Sequence, residues 1–355
     1  MIGYKKEFTN VLQNVKDSAS QLDCTGGGVM VIQKGNVVLE QYWGTQSKKA
    51  NARLIQEDTQ FHIASVRKSY IGFAIAFAVH HGMIAAIDDP ITAYLPESKE
   101  AIYENVTIRH LLTHTHGLQK VNGKVIQEFQ AGTGWAYRGI GVELLTQIVK
   151  VAAGKDIAAL LQEQVFHPLH SLETGWYGER QDNFAEVIHS LNDPAWYTSD
   201  NTDGSQMNMY VSIRELAAWG QLHLNRGKWN GQQVVDEEIF RLATALQTPM
   251  TVPNHYPQNG YLWFVQKEQD LQAERMEISP HIPAGAYQLL GYTGVTLLVI
   301  PKYEVVAVRA FNSFGSPPGY DYLEDVRSFG SAVMQSISEC TRIKTEYVKS
   351  SKGQV

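Results

Sequence analysis

Residues 62–82 read HIASVRKSYIGFAIAFAVHHG, and this stretch determines both the fold and the chemistry that the chain can carry. From Ser65 to Val79 the sequence is apolar on nearly every helical face, which is typical of a helix buried on all sides. Gly82 is a natural C-terminal stop for that helix. The stretch therefore predicts a buried helix that begins close to Ser65.

Ser65 and Lys68 lie three residues apart at the start of this helix, so their side chains share a face. A serine hydroxyl is a weak nucleophile until a base removes its proton. Lysine can act as that base only when its pKa falls, and burial and the positive end of the helix dipole both lower it. The backbone N–H of Ser65 has no helical partner and can donate to a developing oxyanion. A single helix start thus predicts a nucleophile, a base and one oxyanion donor.

Average composition supplies about one Ser-x-x-Lys by chance in a chain of this length, so the motif needs support from its surroundings.

The order of predicted elements along the chain indicates how the fold is organised. Residues up to about 20 and residues 320–337 read as helices, while residues 29–43 read as a β-hairpin. Three further strands are predicted at 286–290, 294–300 and 305–311. Strands at both ends indicate one sheet, formed by residues 1–60 and 285–345, beside a helical lobe of residues 61–284 that carries the catalytic side chains.

Composition excludes several classes of protein. The 355 residues are 44% hydrophobic and carry a net charge of −6, without the basic surface of a nucleic-acid binder. Cys24 and Cys340 lie at opposite ends of the chain, which argues against a disulfide framework and a cysteine metal site. No apolar run has the length of a membrane span, and residues 1–10 lack the apolar core of a signal peptide. The sequence as written predicts a cytoplasmic protein, or an extracytoplasmic one if a leader has been removed.

Two other features of the sequence are candidates for functional sites. His110, His114 and His116 form an H-x-x-x-H-x-H pattern, but the glutamate of a zinc hydrolase motif is missing. Structural, hydrogen-bonded histidines are the favoured interpretation, and no metal or other cofactor is expected. Trp196, in a long polar loop, is the best candidate among the tryptophans for lining a substrate groove.

Several segments resemble, in order and spacing, the serine β-lactamase and penicillin-binding-protein superfamily, and in particular its class C β-lactamase-like branch. The matching segments are residues 62–82, 87–90, 94–96, 106–118, 137, 141–145, 216–227, 291–294 and 297–301. That branch also contains esterases, D-amino-acid peptidases and amide hydrolases. The resemblance covers nearly the whole chain. It implies a mixed α/β (α+β) fold of the β-lactamase/transpeptidase type, with a five-stranded antiparallel sheet flanked by the terminal helices, a mostly helical lobe, and the site between them.

The resemblance also implies roles for individual residues. Ser65 would form an acyl-enzyme, and Lys68 and Tyr137 would act together as general base and then as general acid. The backbone N–H groups of Ser65 and Val295 would form the oxyanion hole. A tyrosine can take part in this way only if nearby cations stabilise its phenolate, and Lys68 and Arg138 are the candidates.

Two departures from the family pattern concern the substrate. Residues 137–139 read Tyr-Arg-Gly where Tyr-x-Asn is usual, so Gly139 supplies no amide side chain. The substrate-binding strand reads Tyr292-Thr293-Gly294 where Lys-Thr-Gly or His-x-Gly is usual, so the cation that helps to bind a substrate carboxylate is missing. Arg138 is the candidate to restore that charge. The departures count against ordinary β-lactams and leave the nucleophile machinery intact.

The leading hypothesis is a serine hydrolase that acts on an ester, an amide or a D-amino-acid peptide. A penicillin-binding protein (DD-peptidase) or weak β-lactamase is the alternative with the same fold. A catalytically inactive sensor or binding module is the alternative of another class. The expected partner is a small-molecule or peptide substrate, with β-lactams among the candidates, and not a nucleic acid.

Overall fold

The computed structural model describes residues 5–98, 100–189, 199–268 and 277–352, with side chains described as far as residue 340. Trp196, the predicted groove residue, lies outside these ranges. The α-helices are α1 (Thr9–Ser20), α2 (Lys68–His80), α3 (Ile108–Leu112), α4 (Gly139–Ala153), α5 (Ile157–Leu161), α6 (His167–Leu169), α7 (Ile213–Leu224), α8 (Glu237–Thr244) and α9 (Tyr322–Lys352). Short 3₁₀ turns cover Lys6–Phe8, Ala64–Arg67, Ile91–Ala93, Ala101–Tyr103 and Pro301–Tyr303, and a π-helical turn covers Gln162–Phe166. Among the helices in these ranges, none is both long and apolar enough to cross a membrane.

The strands form one main sheet and several small ones. They are β1 (Gly26–Gln33), β2 (Asn36–Gly44), β3 (Gln60–His62), β4 (Leu118–Val121), β5 (Lys124–Gln127), β6 (Thr174–Trp176), β7 (Ile188–His189), β8 (Met209–Ser212), β9 (Lys228–Trp229), β10 (Gln232–Gln233), β11 (Phe264–Val265), β12 (Tyr287–Gly291), β13 (Val295–Ile300), β14 (Val305–Phe311) and β15 (Ser313–Phe314). The main sheet has the order β11-β12-β13-β14-β1-β2 and is antiparallel throughout.

The predicted antiparallel sheet, assembled from both ends of the chain, is confirmed, but it has six strands rather than five. The additional strand is β11, which places Phe264 opposite Gln288 at the edge of the sheet. Two residues cannot show the alternation of apolar and polar positions that identifies a strand in a sequence. β11 also belongs to the stretch 61–284 that was predicted to form the helical lobe.

The two faces of the main sheet bury different apolar clusters, because successive side chains of a strand point to opposite faces. On β1, Val29 and Val31 pack with apolar residues of the terminal helices α1 and α9. Met30 and Ile32, between them, pack with apolar residues of α2, α4 and α7. Burying a large apolar side chain contributes about 1.5–3 kcal/mol. The alternation along β1 therefore holds the terminal helices on one face and the helical part on the other.

Helix α2 is buried on all sides, as its apolar sequence predicts. Eleven of its thirteen residues are buried, Lys68 among them. α4, α5 and α8 pack around it. The first turn of the helix is thus enclosed by protein, and this sets the electrostatic conditions at Lys68.

A buried ion pair attaches the terminal helices to the sheet. Arg309 of β14 is fully buried, and its NH1 donates to Asp325 Oδ1 of α9 at 3.1 Å and to Ser18 Oγ of α1 at 3.3 Å. Burial would raise the pKa of Asp325, but the charge of Arg309 and several hydrogen bonds outweigh it, so this pKa lies below its usual value.

Replacing Asp325 by alanine should lower the free energy of unfolding by about 3–5 kcal/mol, because Arg309 would remain buried without a counter-charge. Urea denaturation followed by far-UV circular dichroism measures the change. The matched control is Glu324→Ala. This change removes the neighbouring carboxylate, which forms an ion pair with Arg327 and belongs to a side chain that is 66% exposed. That control should cost less than about 1 kcal/mol. Equal losses from the two variants would contradict the role given to the buried pair.

Candidate active site

Ser65 lies in a strained turn that leads into α2. The preceding residue, Ala64, has a φ of +47°, in the left-handed region that residues with a side chain rarely adopt. Such a conformation costs on the order of 1–3 kcal/mol and persists only where surrounding contacts impose it. One of those contacts is the Ala64 N–H, which donates to His62 Nδ1 at 3.0 Å. The turn is thus held from the side of β3, which ends at His62.

His62 connects this turn to two other segments. Its Nδ1 accepts the Ala64 N–H, so Nε2 carries the proton and donates to the carbonyl of Met207. Burial lowers the pKa of His62 to about 3, which keeps the ring neutral. Its own carbonyl accepts a hydrogen bond from Thr293 Oγ1 at 2.6 Å. Sequence reasoning gave His62 no role, although a histidine three residues before the predicted nucleophile was a visible signal.

Lys68 contacts the predicted nucleophile directly, since its Nζ donates to Ser65 Oγ at 2.7 Å. Only 6% of Lys68 is exposed. Burial, with a smaller contribution from the charge of Arg67, holds the pKa of the Lys68 amine well below its usual value. A neutral amine at this position can accept the serine proton in place of donating.

Tyr137 completes the contacts around Ser65. Its ring centroid lies 4.5 Å from Lys68 Nζ, and its hydroxyl is near enough to Ser65 for the Ser65 side chain to lower the pKa of Tyr137. The ring is 38% exposed, but burial at the hydroxyl raises the pKa of Tyr137 to about 12, against the opposing effects of Ser65 and Arg67. Both environments thus favour the uncharged forms in the resting site, a neutral amine at Lys68 and a neutral phenol at Tyr137. The cation beside Tyr137 is Arg67, which the sequence analysis did not consider.

The ring of Tyr137 is held by an aromatic slot. His114 lies 4.6 Å from it, centroid to centroid, and Phe264 of the edge strand β11 stacks at 6.3 Å with an interplanar angle of 18°. Trp135 stacks at 6.2 Å and is fixed by donating its Nε1–H to Asn259 Oδ1 at 2.9 Å. Sequence reasoning missed Phe264 and Asn259 because they are distant from Tyr137 in the chain.

The strand motif at 291–294 lies against the nucleophile turn. A Cβ on Gly291 would lie 2.4 Å from the carbonyl oxygen of Ile63, so only glycine permits this approach. Gly294 has a φ of +78°, and a Cβ there would lie 2.6 Å from the Phe311 ring. Val295 follows at the start of β13, opposite Gly291. The Ser65 and Val295 amides remain the predicted oxyanion donors.

The predicted substrate-binding residues have different environments. Thr293 is buried, and its hydroxyl donates a hydrogen bond to the His62 carbonyl. Tyr292 is 36% exposed and packs edge-on against Phe314 and Tyr322. Arg138 donates two hydrogen bonds to Glu128, at 2.9 and 2.7 Å. Its charge is therefore already paired, and its role as a substrate-binding cation stays a prediction.

The histidine cluster makes backbone contacts. His110 Nδ1 accepts from the Thr107 N–H at 3.2 Å, and His116 Nδ1 accepts from the Leu118 N–H at 3.0 Å. His114 is neutral because burial, together with the charge of Lys68, holds its pKa well below the usual value. Across the described ranges, no three histidine, cysteine or acidic side chains are grouped as metal ligands. The predicted structural hydrogen bonds are thus found at His110 and His116. They are not found at His114, whose two ring nitrogens are buried with no hydrogen-bond partner among the described residues and whose ring packs against Tyr137.

Comparison with known proteins gives consistent results. A family model described as Beta-lactamase matches residues 11–329. An uncharacterized protein of Alkalihalophilus pseudofirmus is 56% identical over 92% of this chain and 96% of its own. Esterase EstB of Burkholderia gladioli is 28% identical over 46% of this chain and 50% of its own. A solved penicillin-binding protein homolog from Caulobacter crescentus has a TM-score of 0.74 at 17% identity, covering 94% of this chain and 99% of its own, and confirms the predicted fold.

Labelling of Ser65 by a fluorophosphonate should vary less than about threefold in rate between pH 7 and pH 9, because an amine with a lowered pKa is already deprotonated there. A lysine with the usual pKa near 10.4 would give a rise of about 100-fold over the same range. The reaction is quenched at set times, and intact-mass spectrometry measures the labelled fraction at each time. Ser65→Ala, which lacks the nucleophile, is the blank. Burial raises the pKa of Glu277 to about 8, so this carboxyl group titrates within the same pH range, and its charge acts on Tyr137. Repeating the measurement in Glu277→Gln removes its contribution to the pH dependence of labelling. A tenfold rise per pH unit would refute a neutral Lys68.

Proposed function

The chain belongs to the beta-lactamase family, and on that premise we propose that it is a serine hydrolase that forms an acyl-enzyme at Ser65 from an ester or amide, D-amino-acid peptides included. The observation that carries the proposal is the 2.7 Å contact between Ser65 Oγ and the amine of a buried Lys68. A nucleophile in contact with a base of lowered pKa is the arrangement that acyl transfer requires. The esterase named among the relatives supports the choice of substrate class.

The first half-reaction follows from these contacts. The Ser65 proton passes to Lys68 Nζ while Oγ attacks the substrate carbonyl carbon, and the resulting oxyanion accepts hydrogen bonds from the backbone N–H groups of Ser65 and Val295. When the tetrahedral intermediate collapses, the bond to the leaving alcohol or amine breaks. Tyr137 donates its proton to that leaving group and is reprotonated by the Lys68 ammonium. The site then holds an acylated Ser65 and a neutral amine.

The second half-reaction reverses these roles. A water molecule loses a proton to the Lys68–Tyr137 pair and attacks the acyl carbon. Collapse of the second intermediate breaks the bond to Ser65 Oγ, which recovers its proton from Lys68. The phenol of Tyr137, held in its aromatic slot, serves as the proton relay in both directions. Its pKa of about 12 suits it to donate a proton rather than to rest as a phenolate.

The surroundings of the site favour substrates other than ordinary β-lactams. Tyr292 replaces the usual strand cation, and Arg138 is paired with Glu128. A β-lactam could still acylate Ser65, because the nucleophile and its base do not depend on either position. Penicillin binding with slow release is therefore the second candidate function.

Incubation with a panel of p-nitrophenyl esters and with a fluorescent penicillin separates these functions. We expect ester turnover by the wild-type chain and none by Ser65→Ala, with intact mass showing an acyl adduct only in the wild type. A long-lived penicillin adduct without ester turnover would favour the penicillin-binding alternative. Neither adduct nor turnover with any reagent would favour an inactive binding module and would overturn the proposal.

Lys68→Met and Tyr137→Phe should each lower kcat/KM for a nitrophenyl ester by about 10²–10⁴-fold, the usual effect of losing a general base or acid. Neither change introduces a charge, so the thermal unfolding midpoint checks that the fold is retained. The matched control is Tyr303→Phe, in the 3₁₀ turn that follows β13, and β13 itself extends roughly 17 Å from Val295 to Ile300. The control should keep full activity. Unchanged kcat/KM in Tyr137→Phe would remove tyrosine from the mechanism.

A further inference from the structure

A cavity of about 240 Å³ lies beside the small sheet that β3, β8 and β6 form. His62 of β3 pairs with Tyr210 of β8 in the register of that sheet, and both residues line the cavity. The stretch 177–189 supplies most of the remaining lining. A parallel bridge from Phe184 to Gln60 holds this stretch against β3. The strand that leads into the nucleophile turn therefore also forms a wall of the cavity.

Four of the residues that line the cavity form a connected aromatic cluster. Phe184 stacks on Tyr210, with 4.0 Å between the ring centroids and an interplanar angle of 6°. Tyr177 meets Phe184 edge-on at 4.9 Å, and His62 meets Tyr210 edge-on at 5.1 Å. Burial raises the pKa of both tyrosines and lowers the pKa of His62, so all four rings are uncharged near neutral pH. Such walls favour an aromatic ligand, because aromatic rings pair by offset stacking and by edge-to-face contact.

The charged groups of the cavity do not favour a charged ligand. Arg180 lies 3.7 Å from Glu186, and 53% of its side chain is exposed to solvent. Glu179, also exposed, adds a second carboxylate to the lining. An anion would therefore gain little from Arg180 and would meet two carboxylates. A cation would meet the charge of Arg180, which acts on Tyr210 of the aromatic cluster. An uncharged ring is the ligand that these surroundings suit.

The volume of the cavity fits one ring. An apolar cavity of about 150 Å³ binds a benzene molecule, whereas sites for drug-sized ligands start at about 300 Å³. The cavity therefore accommodates a single six-membered ring with part of a linker. A group of this size is the terminal part of a small molecule and not a segment of a folded partner.

The cavity lies between two parts of the candidate active site. On one side, His62 Nδ1 accepts the backbone N–H that immediately precedes Ser65 in the chain. On the other side, His189 lines the cavity and packs at 5.4 Å against Phe314, which packs edge-on against Tyr292 at 5.3 Å. Three residues of chain span at most about 11 Å, so His62 lies within that distance of Ser65. A ring in the cavity can therefore belong to the molecule whose carbonyl carbon Ser65 attacks.

We propose that this cavity is an aromatic subsite, and that the preferred substrate is an ester or amide that carries an uncharged aromatic ring on a short linker beside the scissile bond. The inference rests on the proposed hydrolase function and narrows its substrate class. The described residues that line the cavity do not include Ser65, Lys68 or Tyr137, so the cavity contributes binding and leaves the proton transfers to those three. The ring belongs either to the acyl part or to the leaving group, and matched esters distinguish the two.

Two pairs of esters test the subsite by pH-stat titration. Ethyl 4-phenylbutyrate is compared with ethyl butyrate for the acyl part, and 4-phenylbutyl acetate with butyl acetate for the leaving group. We expect kcat/KM to be at least about tenfold higher for the phenyl ester of one pair, because the ring is transferred from water into the cavity. The corresponding cyclohexyl ester should be at least about threefold poorer than the phenyl ester, because a saturated ring cannot stack on aromatic walls. A cyclohexyl ester as good as the phenyl ester would contradict an aromatic subsite.

Two variants alter the cavity in opposite ways, so the test survives if one of them fails to fold. Val187→Trp places an indole in the lining and fills the space, whereas Tyr210→Leu removes an aromatic wall and enlarges it. Each change should reduce the phenyl preference at least about fivefold, and a ratio of two esters cancels any effect on Ser65 that both share. The matched control is Val151→Trp, at a position of α4 that is 59% exposed and does not line the cavity. The control should keep the wild-type preference, and a preference that both cavity variants retain would overturn the proposal.

Calorimetric titration of Ser65→Ala tests the subsite without turnover. The probes are 4-phenylbutyrate and 4-phenylbutanol, with butyrate and butanol as the comparisons that lack a ring. We expect one phenyl compound to bind at least about tenfold more tightly than its comparison, and the added Val187→Trp change to abolish the difference. If no ester is hydrolysed but this binding pattern holds, the hydrolase function fails and the aromatic cavity stands. Ester hydrolysis without a phenyl preference in either pair would leave the function and overturn the subsite.

Discussion

The burial of Lys68 at the start of α2 is the constraint on which the candidate site depends. An ammonium group removed from water and placed beside Arg67 is unfavourable, which lowers the pKa of the amine and favours the neutral form that can take the Ser65 proton. The enclosure of α2 on every side provides that environment. The apolar sequence of α2, and the helices packed around it, are therefore as necessary to the chemistry as the lysine itself.

The main sheet makes a different contribution to the same site. Strand β12 approaches the turn before Ser65 closely enough that Gly291 cannot carry a side chain. His62 accepts two further hydrogen bonds at this turn. Its ring Nδ1 accepts the Ala64 N–H, and its carbonyl oxygen accepts the Thr293 hydroxyl. The left-handed backbone at Ala64 persists because these contacts surround it. Ser65 is thus positioned where the main sheet meets the helical part of the chain, and contacts from both hold its turn in place.

Elements with a long, regular pattern were predictable from the sequence. Helix α2, the β1–β2 hairpin and the three strands β12 to β14 appear within a few residues of their expected positions. Strand β11 was missed because a two-residue strand has no periodicity, and with it the contact of Phe264 with Tyr137. The place of His62 in the strained turn was missed for another reason. Its partners, Met207 and Thr293, are brought to it only by folding.

The sequence by itself determined that Ser65 and Lys68 would meet, because a separation of three residues at a helix start places two side chains on one face. Only the tertiary structure decided which charges are paired. Arg138, expected to bind the substrate, is bound to Glu128, while Arg67 is buried and its Nε and NH1 have no hydrogen-bond partner among the described residues. The physical reason is that a helical repeat is a local property, whereas burial and ion pairing depend on groups that are distant in the chain and become neighbours only when it folds.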